Sequence, residues 1–203
     1  MMSKGLVAAV MVVAATSAWG QEPLPAVHNY VGVKLGAIIP EHSDLDGFDT
    51  GLAFEFVLGH QFSENLAIEG SVGRFSLSGS SSYYDSSIGQ QANVSEEITA
   101  VPISVSLKPI LPSGGMQLYG LIGISLYSVS ATATLSSPGY QDINLSDKDS
   151  SVGIHVGAGI SAVVSPQVQL AAEAKYIIGS AKIWGTTNHF DSLVVGASAS
   201  YLF

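Results

Sequence analysis

Residues 151–177 read SVGIHVGAGISAVVSPQVQLAAEAKYI, and the fold follows from how their side chains alternate. Between Val152 and Val164 the even positions are Val152, Ile154, Val156, Ala158, Ile160, Ala162 and Val164. The odd positions are Gly153, His155, Gly157, Gly159, Ser161 and Val163. A period of two belongs to an extended strand, whose successive side chains point to opposite faces. After Ser165-Pro166-Gln167 the period resumes: Val168, Leu170, Ala172, Ala174, Tyr176 and Ile178 oppose Glu173 and Lys175. The stretch is therefore a strand, a tight turn and a returning strand. Its second face is mostly small, which suits a narrow interior better than a surface exposed to water.

The same alternation recurs along the chain. Val31, Val33, Leu35, Ala37 and Ile39 oppose Gly32, Lys34 and Gly36; Leu52, Phe54, Phe56 and Leu58 oppose Glu55 and Gly59. Val101, Ile103, Val105 and Leu107 oppose Ser104, Ser106 and Lys108. Leu193, Val195, Ala197, Ala199, Tyr201 and Phe203 oppose Gly196, Ser198 and Ser200. Eight strands are predicted, near 29–39, 51–62, 66–77, 98–111, 116–129, 151–164, 168–180 and 192–203. Short turns at 63–65, 112–115 and 165–167 alternate with long loops near 40–50, 78–97, 130–150 and 181–191. This is the plan of an all-β, eight-stranded antiparallel up-and-down transmembrane β-barrel, closed so that no strand edge meets lipid.

Composition agrees. Of 203 residues, 47% are apolar and 11% charged, too few charges to cover a water-soluble domain of this size. The apolar content excludes disorder. A net charge of −9 with seven Lys+Arg argues against nucleic acid. Absence of cysteine removes disulfides, thiolate metal sites and cysteine nucleophiles. Residues 1–20 read as a cleavable leader: Lys4, an apolar run from Gly5 to Ala15, and a small-x-small site at Ala18-Trp19-Gly20. That run is short for a membrane anchor. Residues 21–203 are then one exported domain. A lipocalin-like soluble barrel is the competing plan, with its apolar face turned inward.

Phe203 ends the chain on the face of Tyr201, Ala199, Ala197 and Val195. This resembles the C-terminal assembly signal of bacterial outer-membrane barrels. Over residues 21–203 the chain is similar to the small eight-stranded barrels typified by the OmpA membrane domain, OmpX and OmpW. That resemblance implies the outer membrane, with its lipid and lipopolysaccharide and the barrel-assembly machinery as partners. No periplasmic domain is expected after residue 203. The family is better at indicating architecture than activity.

Alternation turns Lys34, Glu55, Glu69, Lys108, Glu173 and Lys175 into the lumen. A charge in so narrow a space must be paired. These three cations and three anions are expected to form an ion-pair network, read as a structural plug or as an ion path. An eight-stranded barrel is just wide enough for side chains to fill, which excludes a general porin. Above the charges, Ile38, Ala53, Phe75, Ala100, Tyr127, Ile177 and Val194 are expected to form an apolar vestibule. Its alternative reading is a small hydrophobic ligand site of the OmpW kind, with Pro102 weakening the strand ladder as an exit seam. Arg74 alternates onto the lipid face near the outer rim, unless a bulge at Gly73 turns it inward.

The long loops are acidic: Glu41, Asp44, Asp46, Asp49, Asp85, Glu96, Glu97, Asp142, Asp147, Asp149 and Asp191 stand against Lys148 and Lys182. Asp44-x-Asp46-Gly47-x-Asp49 resembles a calcium loop without its terminal Glu, so no metal is assigned. Some eight-stranded barrels modify lipid A. Here His189 in NHFDS departs from the deacylase His-x-Ser-Asn run, and His155 has no evident serine partner in sequence. No catalytic residue and no cofactor are assigned. The expected role is a non-enzymatic envelope protein with interacting surface loops. Passage of small hydrophobic molecules is the alternative, and lipid A modification a remoter one.

Overall fold

The structure is a computed structural model describing residues 27–85, 90–113, 115–137 and 141–203. The expected leader lies outside these residues. Among the described residues ten strands form, and eight of them close a barrel in the order β1-β10-β7-β6-β5-β4-β3-β2. They are β1 (His28–Pro40), β2 (Gly51–Ser63), β3 (Leu66–Asp85), β4 (Gln90–Ser113), β5 (Met116–Ser136), β6 (Ile143–Ser165), β7 (Val168–Ile178) and β10 (Ser192–Leu202). Every pairing is antiparallel between neighbours in sequence, save the closure of β10 on β1 and the step from β7 to β10. Asn29 and Phe203 exchange backbone hydrogen bonds of 2.8 and 2.9 Å, which seals the closure at its lower end.

The apolar face points outward. Leu52, Leu58, Ile124 and Leu126 each expose 60% or more of their surface. So wide an exposed apolar belt suits hydrocarbon and not water. At about 3.3 Å per residue and a tilt of about 40°, the run from Leu52 to Phe62 rises about 25 Å, the height of an outer-membrane barrel's apolar band. The lipocalin-like plan, which needs the opposite facing, is excluded. Phe62, Tyr201 and Phe203 are exposed at the lower rim. Arg74 is also exposed on the outer face, in register with Phe54. It stands where the outward side chains of β3 change from Ile68, Gly70 and Val72 to Ser76, Ser78 and Ser80.

Three of the expected long loops are largely strand. β3 and β4 pair out to Asp85↔Gln90, and β5 and β6 out to Leu135↔Ile143. Since β4 and β5 also pair from Asn93↔Ser136 downward, a four-stranded sheet stands above the barrel. Outside the membrane both faces of a strand are solvated, so hydropathy stops alternating although Ser- and Thr-rich backbone still pairs. The expected strand at 168–180 instead breaks at Gly179. There the chain leaves the barrel for a small hairpin, β8 (Ser180–Ile183) and β9 (Thr186–His189). Gly179 is required because a Cβ there would meet the ring of Phe190 at 2.4 Å. The loop after β1 carries a single 3-10 turn at Ser43–Leu45.

Candidate functional site

The interior is built in tiers. At the lower end Gln169 Nε2 donates to Gln117 Oε1 at 3.0 Å and to Ser161 Oγ at 3.1 Å. Above it lie all six expected lumen charges. Lys34 Nζ is 2.5 Å from Glu69 Oε1 and 3.1 Å from Glu173 Oε2. Lys108 Nζ is 3.5 Å from Glu69 Oε2. Lys175 pairs with Glu55. Two tyrosines that sequence reasoning missed complete the cluster: Tyr30 donates to Glu69 and Tyr119 to Glu173, each at 3.1 Å. Lys108 Nζ also sits 4.1 Å from the centroid of the Tyr119 ring, a cation–π contact. Tyr30 packs over Gly59 and Tyr119 over Gly159, positions where a Cβ would strike the ring. Both tyrosines were legible, because they share the alternating inward face with Lys34 and Tyr127.

Between the two ion groups a cavity of about 20 Å³, bordered by Lys34, Glu55, Glu173 and Lys175, is large enough for a single water. Next comes His155, only 2% exposed. Its Nε2 is 2.8 Å from Ser106 Oγ and its Nδ1 3.0 Å from Ser125 Oγ. The serine partners that sequence spacing did not reveal thus come from β4 and β5. The imidazole is bracketed by hydroxyls on both sides, and among the described residues no carboxylate hydrogen-bonds to it. A buried histidine held this way lacks both the orienting acid and the substrate access of a catalytic triad.

The expected vestibule residues do gather. Ile38, Ala53, Phe75, Ala100, Tyr127 and Ile177 are buried in one apolar cluster, with Val194 packed against it. The space between them is filled rather than open. Phe190 enters from above, its ring 5.0 Å from that of Tyr127, and Tyr127 lies 6.3 Å from Phe75, both edge-on. Leu45, Leu77, Val129 and Ile183 join the same cluster. Phe190 arrives from a connection with no alternation to mark it. Pro102 faces inward and is buried. It keeps its place opposite Tyr127 on β5. On the β3 side, pairing runs to Val72↔Ile103 and resumes only at Phe75↔Ala100.

Above this plug is a cleft of about 210 Å³ between the β8–β9 hairpin, the 3-10 turn and the raised sheet. Acids of β6 and of the 3-10 turn hold the hairpin by accepting its backbone amides. Asp149 takes Lys182 N–H and Asp147 takes Trp184 N–H, both at 2.5 Å, while Asp44 takes His189 N–H at 2.8 Å. Trp184 occupies the left-handed region at φ 50°, followed by Gly185 at φ 79°. For a residue as bulky as Trp this backbone costs about 1 kcal/mol or more. Nearby, ligand atoms of His42, His189 and Asp191 lie within 4.8 Å of one another, the donor set a divalent metal would need. The two imidazoles are stacked at 4.8 Å, His42 Nδ1 accepts Asp44 N–H, and Asp191 Oδ1 accepts Gly179 N–H.

The family model for the outer membrane protein beta-barrel domain matches residues 6–203. No curated protein matches the chain in sequence. Among solved structures, a major outer membrane protein of Thermus thermophilus is similar at 12% identity and TM-score 0.57, over 88% of this chain and 100% of that one. OprG of Pseudomonas aeruginosa is similar at 16% identity and TM-score 0.54, over 89% and 97%. Ail of Yersinia pestis, solved with the heparin analogue sucrose octasulfate, is 16% identical over 87% and 97%, with TM-score 0.47. At these identities the likeness is one of fold.

Proposed function

The chain belongs to the outer membrane protein β-barrel family, and from that premise we propose a non-conducting, non-enzymatic envelope barrel that holds a rigid sheet outside the cell for surface interactions. One observation carries this reading: side chains occupy the lumen tier after tier. Among the described residues, glutamines, paired charges, a serine-bound histidine and an aromatic plug follow one another along the axis. Moving an ion through would require breaking buried ion pairs, which is costly in so narrow a space. The raised sheet supports the display role, because paired strands present side chains at fixed positions where free loops would not. Lipid, lipopolysaccharide and the assembly machinery are the partners this reading carries.

The test is reconstitution into planar bilayers. The expected result is a baseline without reproducible conductance steps, together with full heat-modifiable folding on gels. Discrete steps that vanish on unfolding would overturn it. A second reading rests on the interrupted β3–β4 ladder beside Pro102. Through that seam a small hydrophobic molecule would leave sideways into the membrane without using the axis. Arg74→Cys combined with Val101→Cys, opposed across the same gap on the outer face, would lock the seam once oxidised. Uptake of a small apolar compound that is unchanged by the lock would exclude this route.

A further inference from the structure

The cleft at the outer mouth combines three features. Its floor is apolar, made by Leu45, Ile98, Ile183 and Phe190. Three acidic residues, Asp44, Glu96 and Glu97, line it and no lysine or arginine does; Asp44 also accepts His189 N–H, and Thr99 donates to Glu97. Its outer wall is Trp184, 49% exposed and held in a backbone conformation that asparagine or glycine would adopt more readily. A two-residue hairpin turn with both φ angles positive favours Asn-Gly, so Trp at its first central position is a choice against folding. Strain of this kind persists where the side chain serves a purpose.

We propose that this cleft binds a small organic cation with an apolar body, such as an aromatic quaternary ammonium or an arylalkylamine. The apolar floor takes the body. The carboxylates neutralise the charge, and the face of Trp184 supplies a cation–π contact. At about 210 Å³ the cleft is smaller than pockets for drug-sized ligands, which fixes the guest at roughly one ring with a short ammonium arm. The acids on the surrounding loops give the mouth a negative field that draws cations in and holds anions off. The site lies above the plug and needs no passage, so it stands independently of whether the barrel conducts.

The experiment is calorimetric titration of the folded full-length chain in a non-ionic maltoside. The probe is benzyltrimethylammonium, and its uncharged carbon isostere neopentylbenzene is the control. Saturable binding of the cation is expected, with the isostere weaker by about twofold to thirtyfold, the range a cation–π contact supplies. Trp184→Asn should lose a similar factor while its melting temperature stays equal or rises, because asparagine relieves the turn. Glu96→Gln combined with Glu97→Gln should also weaken the cation and leave the isostere unchanged. Equal affinity for cation and isostere, undiminished binding by Trp184→Asn, or no saturable binding to the wild type would each overturn the proposal. A Trp184→Asn variant that binds weakly because it misfolds would show itself by a lowered melting temperature.

Discussion

Removing the carboxylate of Glu69 takes from Lys108 the acid it pairs with and leaves Lys34 with Glu173 alone, and Tyr30 loses the carboxylate it donates to. Glu69→Gln keeps the shape and deletes the charge. Leaving buried charge without a partner costs about 3–5 kcal/mol, and that loss is expected in urea unfolding from lipid vesicles. Glu173→Gln should cost less, because Lys34 retains Glu69. Unfolding midpoints equal to wild type for Glu69→Gln would show that the network contributes nothing to stability. The inward facing of these residues was legible, since each lies on the minority face of an alternating strand. Which anion serves which lysine was not legible: Lys34 and Glu173 are 139 positions apart. Their meeting depends on tilt and stagger across the barrel.

At the scale of elements, the β8–β9 hairpin is the part that local pattern could not foresee. Its four-residue strands are too short to show a period; two of its anchors lie on β6, more than thirty positions away, and the third, Asp44, lies 145 positions away in the 3-10 turn. The amides of Lys182 and Ser150 hold the Asp149 carboxyl below its ordinary value. A depressed carboxylate stabilises the folded arrangement above its unfolded pKa of about 3.9, and that contribution disappears as pH falls through the depressed value. Amide-exchange protection at Lys182 should therefore persist from neutral pH down to about pH 4 and fall below it. Asp149→Asn should lower protection already at neutral pH. Protection independent of pH and of this substitution would mean that the apolar contacts of Ala181 and Ile183 hold the hairpin alone. The raised strands were missed for a related reason: SATATLS at 130–136 keeps a period of two, but threonine and alanine differ too little in hydropathy to announce it.

For the whole molecule, closure is the step on which everything else waits. Phe203 pairs with Asn29 across the seam and leaves its ring on the lower rim beside Tyr201. Deleting Phe203 removes the two backbone hydrogen bonds and the terminal aromatic together. Membrane-inserted, heat-modifiable protein is expected to fall sharply in cells. Undiminished levels would show that β10 closes on β1 without the terminal residue. Sequence alone determined the barrel, its strand number and which face meets lipid. Alternation is a local steric property of extended backbone, and composition reports the solvent directly. Only the tertiary structure decided what fills the lumen's upper end and where an open space remains. Phe190 closes the vestibule because Gly179 lets its ring approach, and the vacant volume moves up to the cleft beside Trp184. Such placements depend on side chains from distant strands converging across a tilted cylinder, and no period along a single strand carries that information.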